Sequence, residues 1–155
     1  VLNRPRHEQL IQEIRDAGAG TRLMSDGDVA GGINAARHAA RTDMCVGVGG
    51  SPEGIVTACA IKALGGHIQG RLWPRDDDER QRGIDAGLDM DKVYEADDLV
   101  RGDNTIFVAT GVTDGQLVAG VRREHGYIYT ESVVLRGASG TLRRIASEHL
   151  VSKWL

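Results

Sequence analysis

The feature that most constrains this chain is a glycine-rich turn between an apolar run and an apolar helical pattern, in residues 45–55 (C-V-G-V-G-G-S-P-E-G-I). Ser51 as N-cap, Pro52 at the first helical position and Glu53 in the first turn are residue types with which helices begin. Such a turn directs backbone N–H groups and the positive end of a helix dipole towards bound phosphate. Because Glu53 would repel a bare phosphate, the turn predicts a site where a metal cation lies between them.

Two other interpretations of this turn are available. The carboxylate of Glu53 could simply complement the positive end of the helix dipole, and this alternative stays open. A dinucleotide-binding fingerprint requires G-x-G-x-x-G, but counting from Gly47 the third glycine falls on Pro52. Residues 66–71 also lack the acid that would close the second strand of that motif. The sequence therefore disfavours a dinucleotide-binding turn.

Composition narrows the class of protein. A chain of 155 residues is long enough for one domain with a real core. With 26% charged residues and a net charge of −3, it shows no patch for nucleic acid or membrane. No apolar run approaches the roughly 20 residues of a membrane span, and we expect no signal peptide. Cys45 and Cys59 are expected to be free thiols of a cytoplasmic protein. Since the chain begins at Val1, we expect it to be processed or part of something longer.

The hydrophobic pattern predicts alternating strands and helices. Helices are expected at 8–17, 29–40, 76–86 and 96–100 and after the glycine turn, and strands at 21–24, 44–48, 67–73, 92–95 and 104–109. From residue 127 the period changes to two, and residues 127–135 and 141–145 flank R-G-A-S-G, which indicates a hairpin. We therefore predict an α/β fold with a mostly parallel sheet, finished by an antiparallel hairpin.

Polar residues that could form a site follow three of the expected strands. Two arginines precede the first helix. Asp26 and Asp28 flank Gly27 and could accept hydrogen bonds from sugar hydroxyls or bind metal, although turn and cap chemistry explains them too. Arg4 and Arg6 could clamp an anionic group, or be ordinary solvated arginines. The stretch 110–114 (T-G-V-T-D) could line a polar cleft or serve as loop chemistry. Because strand ends share one edge of an α/β sheet, we expect these loops to converge with the glycine turn on a sugar-phosphate and metal site.

Seven motifs, in this order and spacing, resemble class II fructose-1,6-bisphosphatase of the GlpX type. They are R-P-R-H-E, S-D-G-D-V-A, G-V-G-G-S-P-E-G, G-R-L-W-P, L-V-R-G-D-N, A-T-G-V-T-D-G and S-G-T-L-R-R-I-A-S-E-H. The resemblance runs end to end but covers only the C-terminal half of that family's chain. It implies the layered α/β/α/β/α fold of the sugar phosphatases related to inositol monophosphatase, with residues 1–155 as a single C-terminal α/β lobe. It also implies dependence on Mn²⁺ or Mg²⁺.

The resemblance implies roles for individual residues. Glu53 matches the one metal ligand that this half supplies, and the substrate contacts match Arg4-Pro5-Arg6, Asp26-Gly27-Asp28 and Gly50. Two departures are mild: the family usually has Lys where this chain has Arg4, and often Ala where it has Ser51. No catalytic residue is implied for this chain, because the other metal-binding acids and the threonine that helps to activate water belong to the missing N-terminal half.

The activity that the resemblance implies is hydrolysis of fructose 1,6-bisphosphate to fructose 6-phosphate and phosphate, in gluconeogenesis. The implied partners are these sugar phosphates, the missing N-terminal half and further copies in a dimer or tetramer, without nucleic acid or membrane. One alternative is a bisphosphatase that also accepts sedoheptulose 1,7-bisphosphate. Another is a non-catalytic sugar-phosphate-binding or assembly fragment. The third is an α/β nucleotide-binding domain, which the glycine spacing disfavours because Pro52 replaces the third glycine.

Overall fold

The computed structural model describes residues 1–38 and 40–153, and its architecture is mixed α/β, as predicted. The helices are α1 (Glu8–Asp16), α2 (Asp28–Ala36), α3 (Ser51–Ala63), α4 (Asp77–Asp85) and α5 (Ala96–Leu99). The strands are β1 (Gln69–Gly70), β2 (Tyr94–Glu95), β3 (Ile106–Thr110), β4 (Arg122–Glu124), β5 (Tyr127–Arg136) and β6 (Thr141–Leu150). Short 3-10 helices cover Pro5–His7, Gly137–Ser139 and Val151–Lys153. No helix in these described ranges is long and apolar enough to cross a membrane.

A four-stranded antiparallel sheet forms the second half of the described chain. Strand β6 pairs with β5 along its whole length, from Tyr127↔Leu150 to Arg136↔Thr141. Strands β3 and β4 pair with different parts of β5, so both must lie on its other edge. The predicted hairpin is thus confirmed, and β6 extends five residues past the predicted end at 145 because its pairing continues through polar residues.

The core lies between this sheet and two helices. On β3, Phe107 is 7% exposed while its neighbour Ile106 is 61% exposed, so one face of the strand turns inward. Phe107 packs with Val133 and Leu135 of β5 against Ile33 of α2 and residues of α3. Helices α2 and α3 meet closely, since a Cβ added at Gly32 would lie 2.6 Å from Thr57 Cγ2. The Ala- and Gly-rich sequence of α2 allows this close packing.

The mostly parallel sheet is not confirmed. Within residues 1–38 and 40–153 every strand ladder is antiparallel, including the small β1–β2 sheet, and the parallel pairing is a single bridge between Leu2 and Met24. That bridge is what remains of the strand predicted at 21–24. The strand at 67–73 shrinks to β1 and the strand at 92–95 to β2. Short apolar runs alone therefore overstated the length of these strands.

The strand predicted at 44–48 is wrong, and the structure gives the physical reason. The Val48 backbone N–H donates to the His7 ring, and its carbonyl accepts from Arg6. These main-chain groups therefore bond to side chains instead of a neighbouring strand. The helix predicted at 29–40 ends at Ala36, because Arg37 adopts an extended backbone conformation. Ala39, part of that prediction, lies outside the described residues.

Candidate functional site

The segment Arg4-Pro5-Arg6 lies directly beside the glycine turn. Arg4 has an extended backbone (φ −134°, ψ 147°), and Pro5 begins the 3-10 helix that leads into α1. Pro5 suits this position because its fixed φ matches a first helical residue, whose N–H has no helical acceptor. Arg6 Nε donates a hydrogen bond to the Val48 carbonyl at 3.0 Å. The structure thereby brings one of the two predicted phosphate-binding arginines against the turn.

Next to Arg6, the His7 side chain is buried, at 1% exposure, and bonds at both ring nitrogens. Nδ1 lies 2.8 Å from the Leu2 carbonyl, and Nε2 lies 2.8 Å from the Val48 backbone nitrogen. A carbonyl can only accept and an amide N–H can only donate, so the ring is neutral and carries its proton on Nδ1. His7 was not among the site residues predicted from the sequence. No local pattern marks it, because both partners are backbone groups and one is 41 residues away.

The D-G-D turn approaches the same loop through Asp28. Gly27 precedes α2 in the left-handed conformation (φ 84°, ψ 48°), which a residue without a Cβ adopts readily. Asp28 Oδ1 accepts from Val29 N–H at 3.0 Å, while its Oδ2 lies 3.0 Å from the point where a Cβ on Gly49 would be. Asp26 Oδ1 accepts from Gly27 N–H at 2.8 Å, a bond within the turn. Asp28, and not Asp26, is therefore shown in contact distance of the glycine turn.

The turn itself opens onto the N-terminus of α3. Gly50 is the N-cap, one residue before the predicted Ser51, and it provides no side chain to cap the first turn. Pro52 and Glu53 lie within that first turn, and Gly50, Ser51 and Glu53 are exposed. The Glu53 carboxylate folds back over Gly50, where any Cβ would overlap Oε2. Uncapped N–H groups and a carboxylate thus share one exposed helix end, which suits phosphate held through a cation.

Beside α2, the Cys45 thiol is half-buried and free. The Cys59 thiol is also half-buried and free. A Cβ on Gly31 of α2 would lie 3.3 Å from Cys45 Sγ. Burial raises the pKa of the Cys45 thiol above its ordinary value, and the Asp28 carboxylate adds to this shift. Cys45 is therefore a protonated, packed thiol beside Asp28.

The third predicted loop closes upon itself. Asp114 Oδ1 accepts from Gly120 N–H at 2.9 Å, and Thr110 Oγ1 lies 2.8 Å from Ser132 Oγ on the neighbouring strand. Gly111 packs so tightly that any Cβ would overlap the Ala119 carbonyl oxygen. These bonds match the loop-chemistry alternative for 110–114. None of the hydrogen bonds between described residues joins this loop to the glycine turn or to Arg6.

The site as a whole is an exposed surface formed by three segments. Arg6, Asp28, Gly50 and Glu53 surround the turn, whereas the hydrogen bond from Arg4 Nη1 goes to the adjacent Asn3 carbonyl, at 3.5 Å. Two cavities, of about 490 and 240 Å³, are lined by other residues. Across residues 1–38 and 40–153 there is no group of three or more His, Cys, Asp or Glu side chains that could hold a metal ion. Glu53 fits as one metal ligand, and the described residues do not complete the set.

Comparison with known proteins identifies the class. The model of the family described as bacterial fructose-1,6-bisphosphatase, glpX-encoded, matches residues 1–149. A class 2 fructose-1,6-bisphosphatase of Haemophilus influenzae is 40% identical over 162 aligned positions, which cover 96% of this chain and 49% of that protein. Two proteins named D-fructose 1,6-bisphosphatase class 2/sedoheptulose 1,7-bisphosphatase, from Trichodesmium erythraeum and Synechocystis sp., are 40% and 38% identical, each alignment covering 97% of this chain and 47% of theirs.

These matches are to proteins named as sugar bisphosphatases, and the mixed α/β fold agrees with the one predicted for that class. The chain belongs to the glpX-encoded bacterial fructose-1,6-bisphosphatase family. The predicted resemblance to that family is confirmed. The chain spans about half the length of the curated relatives that it matches.

Proposed function

We propose that the protein containing this chain hydrolyses the 1-phosphate of fructose 1,6-bisphosphate. Water attacks phosphorus, the bond from phosphorus to the C1 oxygen breaks, and that oxygen takes a proton, giving fructose 6-phosphate and inorganic phosphate. The single observation that carries this proposal is the meeting of Arg6, Asp28 and Glu53 at one glycine turn, in a chain of this family. The three side chains come from three separate segments.

Each of these residues has a proposed task. Arg6 uses Nε to hold Val48, which leaves the terminal nitrogens of the guanidinium to face an anion; with Arg4 it would bind the distal phosphate. Asp28 and Asp26 would accept hydrogen bonds from sugar hydroxyls on either side of Gly27. Gly50 leaves room above the helix end because a side chain there would displace Glu53. These assignments follow the motif matches, and the positions of Arg6, Asp28 and Gly50 at the glycine turn support them.

Enzymes of this family depend on a divalent metal, and we propose Mn²⁺ or Mg²⁺. A cation bound here would neutralise phosphate charge and supply hydroxide at neutral pH. Glu53 would be one ligand, and the other carboxylates would come from the N-terminal half of the intact enzyme, which lies outside this chain. That residues 1–155 form a single lobe of the intact enzyme is part of this proposal. The cytoplasmic location, the role in gluconeogenesis and the dimer or tetramer stay predictions.

The test is phosphate release by the complete protein, including any sequence outside residues 1–155. We expect release from fructose 1,6-bisphosphate with Mn²⁺ or Mg²⁺, and a loss of about 100-fold or more in kcat for Glu53→Gln, because a metal ligand stabilises the transition state directly. Asp78→Asn is the matched control, since Asp78 is an exposed acid in the first turn of α4. If Glu53 only complements a helix dipole, both variants will retain full activity.

A second candidate activity is supported by two relatives whose names pair fructose 1,6- with sedoheptulose 1,7-bisphosphatase. The two substrates differ by one carbon between the phosphates, so a site open at the Asp26–Asp28 turn could accept both. Comparing kcat/KM on the two bisphosphates decides this point. Fructose 6-phosphate binding without any turnover by the complete protein, even with metal, would instead favour the non-catalytic alternative.

A further inference from the structure

We propose that His7 is the positioning residue of this site: its imidazole connects the arginine segment to the glycine turn and keeps the two in register. This inference rests on the proposed function, since it assigns how the sugar-phosphate groups are held. The ring is one residue from Arg6 and lies inside the structure, at 1% exposure. It does not face the exposed surface on which substrate would bind, so it acts through its neighbours.

The geometry singles out one residue, Val48, whose backbone is held on both sides. Val48 N–H donates to His7 Nε2 at 2.8 Å, and the Val48 carbonyl accepts from Arg6 Nε at 3.0 Å. Two consecutive side chains of one 3-10 helix therefore hold both main-chain groups of Val48. Two residues further on, Gly50 is the N-cap of α3, so the position of Val48 sets where the exposed helix end and Glu53 lie relative to Arg6.

The other side of the ring fixes the segment that carries the arginines. Nδ1 donates to the Leu2 carbonyl at 2.8 Å, which holds the chain two residues before Arg4. The ring also occupies the space left by Gly47, since a Cβ there would lie 3.1 Å from His7 Cε1. An imidazole with its proton on Nδ1 supplies one donor and one acceptor at these two positions, which neither lysine nor an aliphatic residue can do.

Two amide substitutions separate the two hydrogen bonds. In His7→Gln the longer side chain can bring an amide oxygen near the place of Nε2 and keep an acceptor for Val48 N–H. In His7→Asn the shorter side chain can place an amide N–H near the place of Nδ1 and keep the bond to Leu2, but it leaves Val48 N–H without its acceptor. His67→Asn, at an exposed histidine, is the matched control.

The first readout does not depend on activity. Nitrogen-15 NMR of the histidine rings in the complete protein should show His7 as the neutral tautomer protonated on Nδ1, with a hydrogen-bonded Val48 amide. The Val48 amide signal should shift strongly in His7→Asn and much less in His7→Gln. A ring protonated on Nε2, or a Val48 amide indifferent to both variants, would overturn the proposal whatever the enzyme hydrolyses.

The second readout is the separation of KM from kcat on fructose 1,6-bisphosphate. We expect His7→Asn to raise KM about 10-fold with kcat changed much less, because a part-buried Val48 N–H without its acceptor no longer fixes the turn. His7→Gln should restore most of the affinity, and His67→Asn should leave KM unchanged. If His7→Asn is folded and its KM matches the wild type, the positioning role is refuted. If the wild type releases no phosphate, the proposed function fails, while the NMR result still decides whether His7 holds Val48.

Discussion

The β5–β6 hairpin and the glycine turn hold their backbones by different means. Ten consecutive residue pairs join β5 to β6, so main-chain groups satisfy one another along the whole hairpin. In the turn, the main-chain groups of Val48 bond to the side chains of Arg6 and His7. A ladder tolerates many side chains, whereas a turn held by two side chains requires those residues. The difference separates a region that supports the fold from one whose sequence is tied to its function.

The largest expected effect is a loss of stability caused by a substitution in the core of the sheet. Leu135 is fully buried on β5, opposite Phe107 on β3 and Leu142 on β6. Leu135→Ala should lower the free energy of unfolding by about 2–5 kcal/mol, the cost of lost transfer energy and a cavity. Urea unfolding followed by circular dichroism measures this change. Val134→Ala, at the half-buried neighbouring position, is the control and should cost less.

In the folded protein, Leu135→Ala should leave KM for fructose 1,6-bisphosphate unchanged. The residue packs in the core and has no part in holding Val48 or Asp28. An altered KM, measured under conditions where the variant is folded, would show that the sheet core shapes the site directly, and the proposed separation of the two regions would then fail.

The next effect tests the helix contact that connects the two regions. Gly32→Ala places a Cβ 2.6 Å from Thr57 Cγ2, and Thr57 is held by the hydrogen bond from its hydroxyl to the Glu53 carbonyl at 2.7 Å. The variant should therefore lose about 1–3 kcal/mol of stability through overpacking. Gly54→Ala in α3 meets nothing within 4 Å and should gain about 0.5–1 kcal/mol from lower chain entropy. Thermal unfolding of both variants gives the two signs, and equal signs would contradict the packing described.

A smaller effect separates the two acidic loops. Asp28→Asn should raise KM for fructose 1,6-bisphosphate about 10-fold, equivalent to about 1.4 kcal/mol, because it weakens an acceptor beside the glycine turn. Asp114→Ala should leave KM unchanged and reduce stability by about 1 kcal/mol, since Asp114 accepts from Gly120 within its own loop. Steady-state kinetics and urea unfolding together measure both. A raised KM in Asp114→Ala would place the third loop in the site after all.

The sequence predicted those parts of the fold that have local causes. The start of α3 was predicted to within one residue from Pro52 and Glu53, with the cap at Gly50 instead of Ser51, and the hairpin follows from period-two residues around a glycine turn. Asp76 accepts from Glu79 N–H, so α4 begins where its capping residue indicates. By contrast, residues 44–48 have a strand's composition but no strand partner. Composition does not reveal whether an apolar segment will find one.

The same distinction applies to the candidate site. Arg6, Asp28 and Glu53 were predicted as site residues because their motifs carry recognisable polar chemistry, and the structure places all three at the turn. That assignment stays a prediction until it is measured. His7 was missed because its contacts are to backbone groups, one of which is 41 residues away. Strand β4 was missed because Arg122, Arg123 and Glu124 have no apolar alternation and pair through β5 alone.

The smallest expected effect is a pH dependence of stability in the sheet. There the Glu131 carboxylate connects the 111–120 loop to the paired strands. Glu131 accepts from Ala119 N–H and from Arg144, each at 2.7 Å. The Ala119 N–H, with Arg144 second, lowers the pKa of the Glu131 carboxyl below its ordinary value of 4.5. A lowered folded pKa means that the unfolded chain binds a proton first as pH falls. The stabilisation is therefore complete above pH 4.5 and is lost as pH falls through the folded value.

Glu131→Gln removes this titration while keeping an oxygen that can accept from Ala119. We expect a small loss of stability at neutral pH and a smaller loss at acidic pH, so the wild-type and variant urea midpoints converge on acidification. Glu148→Gln on β6, an exposed acid, is the control and should show no such convergence. Midpoints that stay parallel for Glu131→Gln would mean that its carboxylate charge does not hold the 111–120 loop. That loop would then depend, like the rest of the sheet, on backbone bonds such as Gly111 N–H to the Glu131 carbonyl at 3.0 Å.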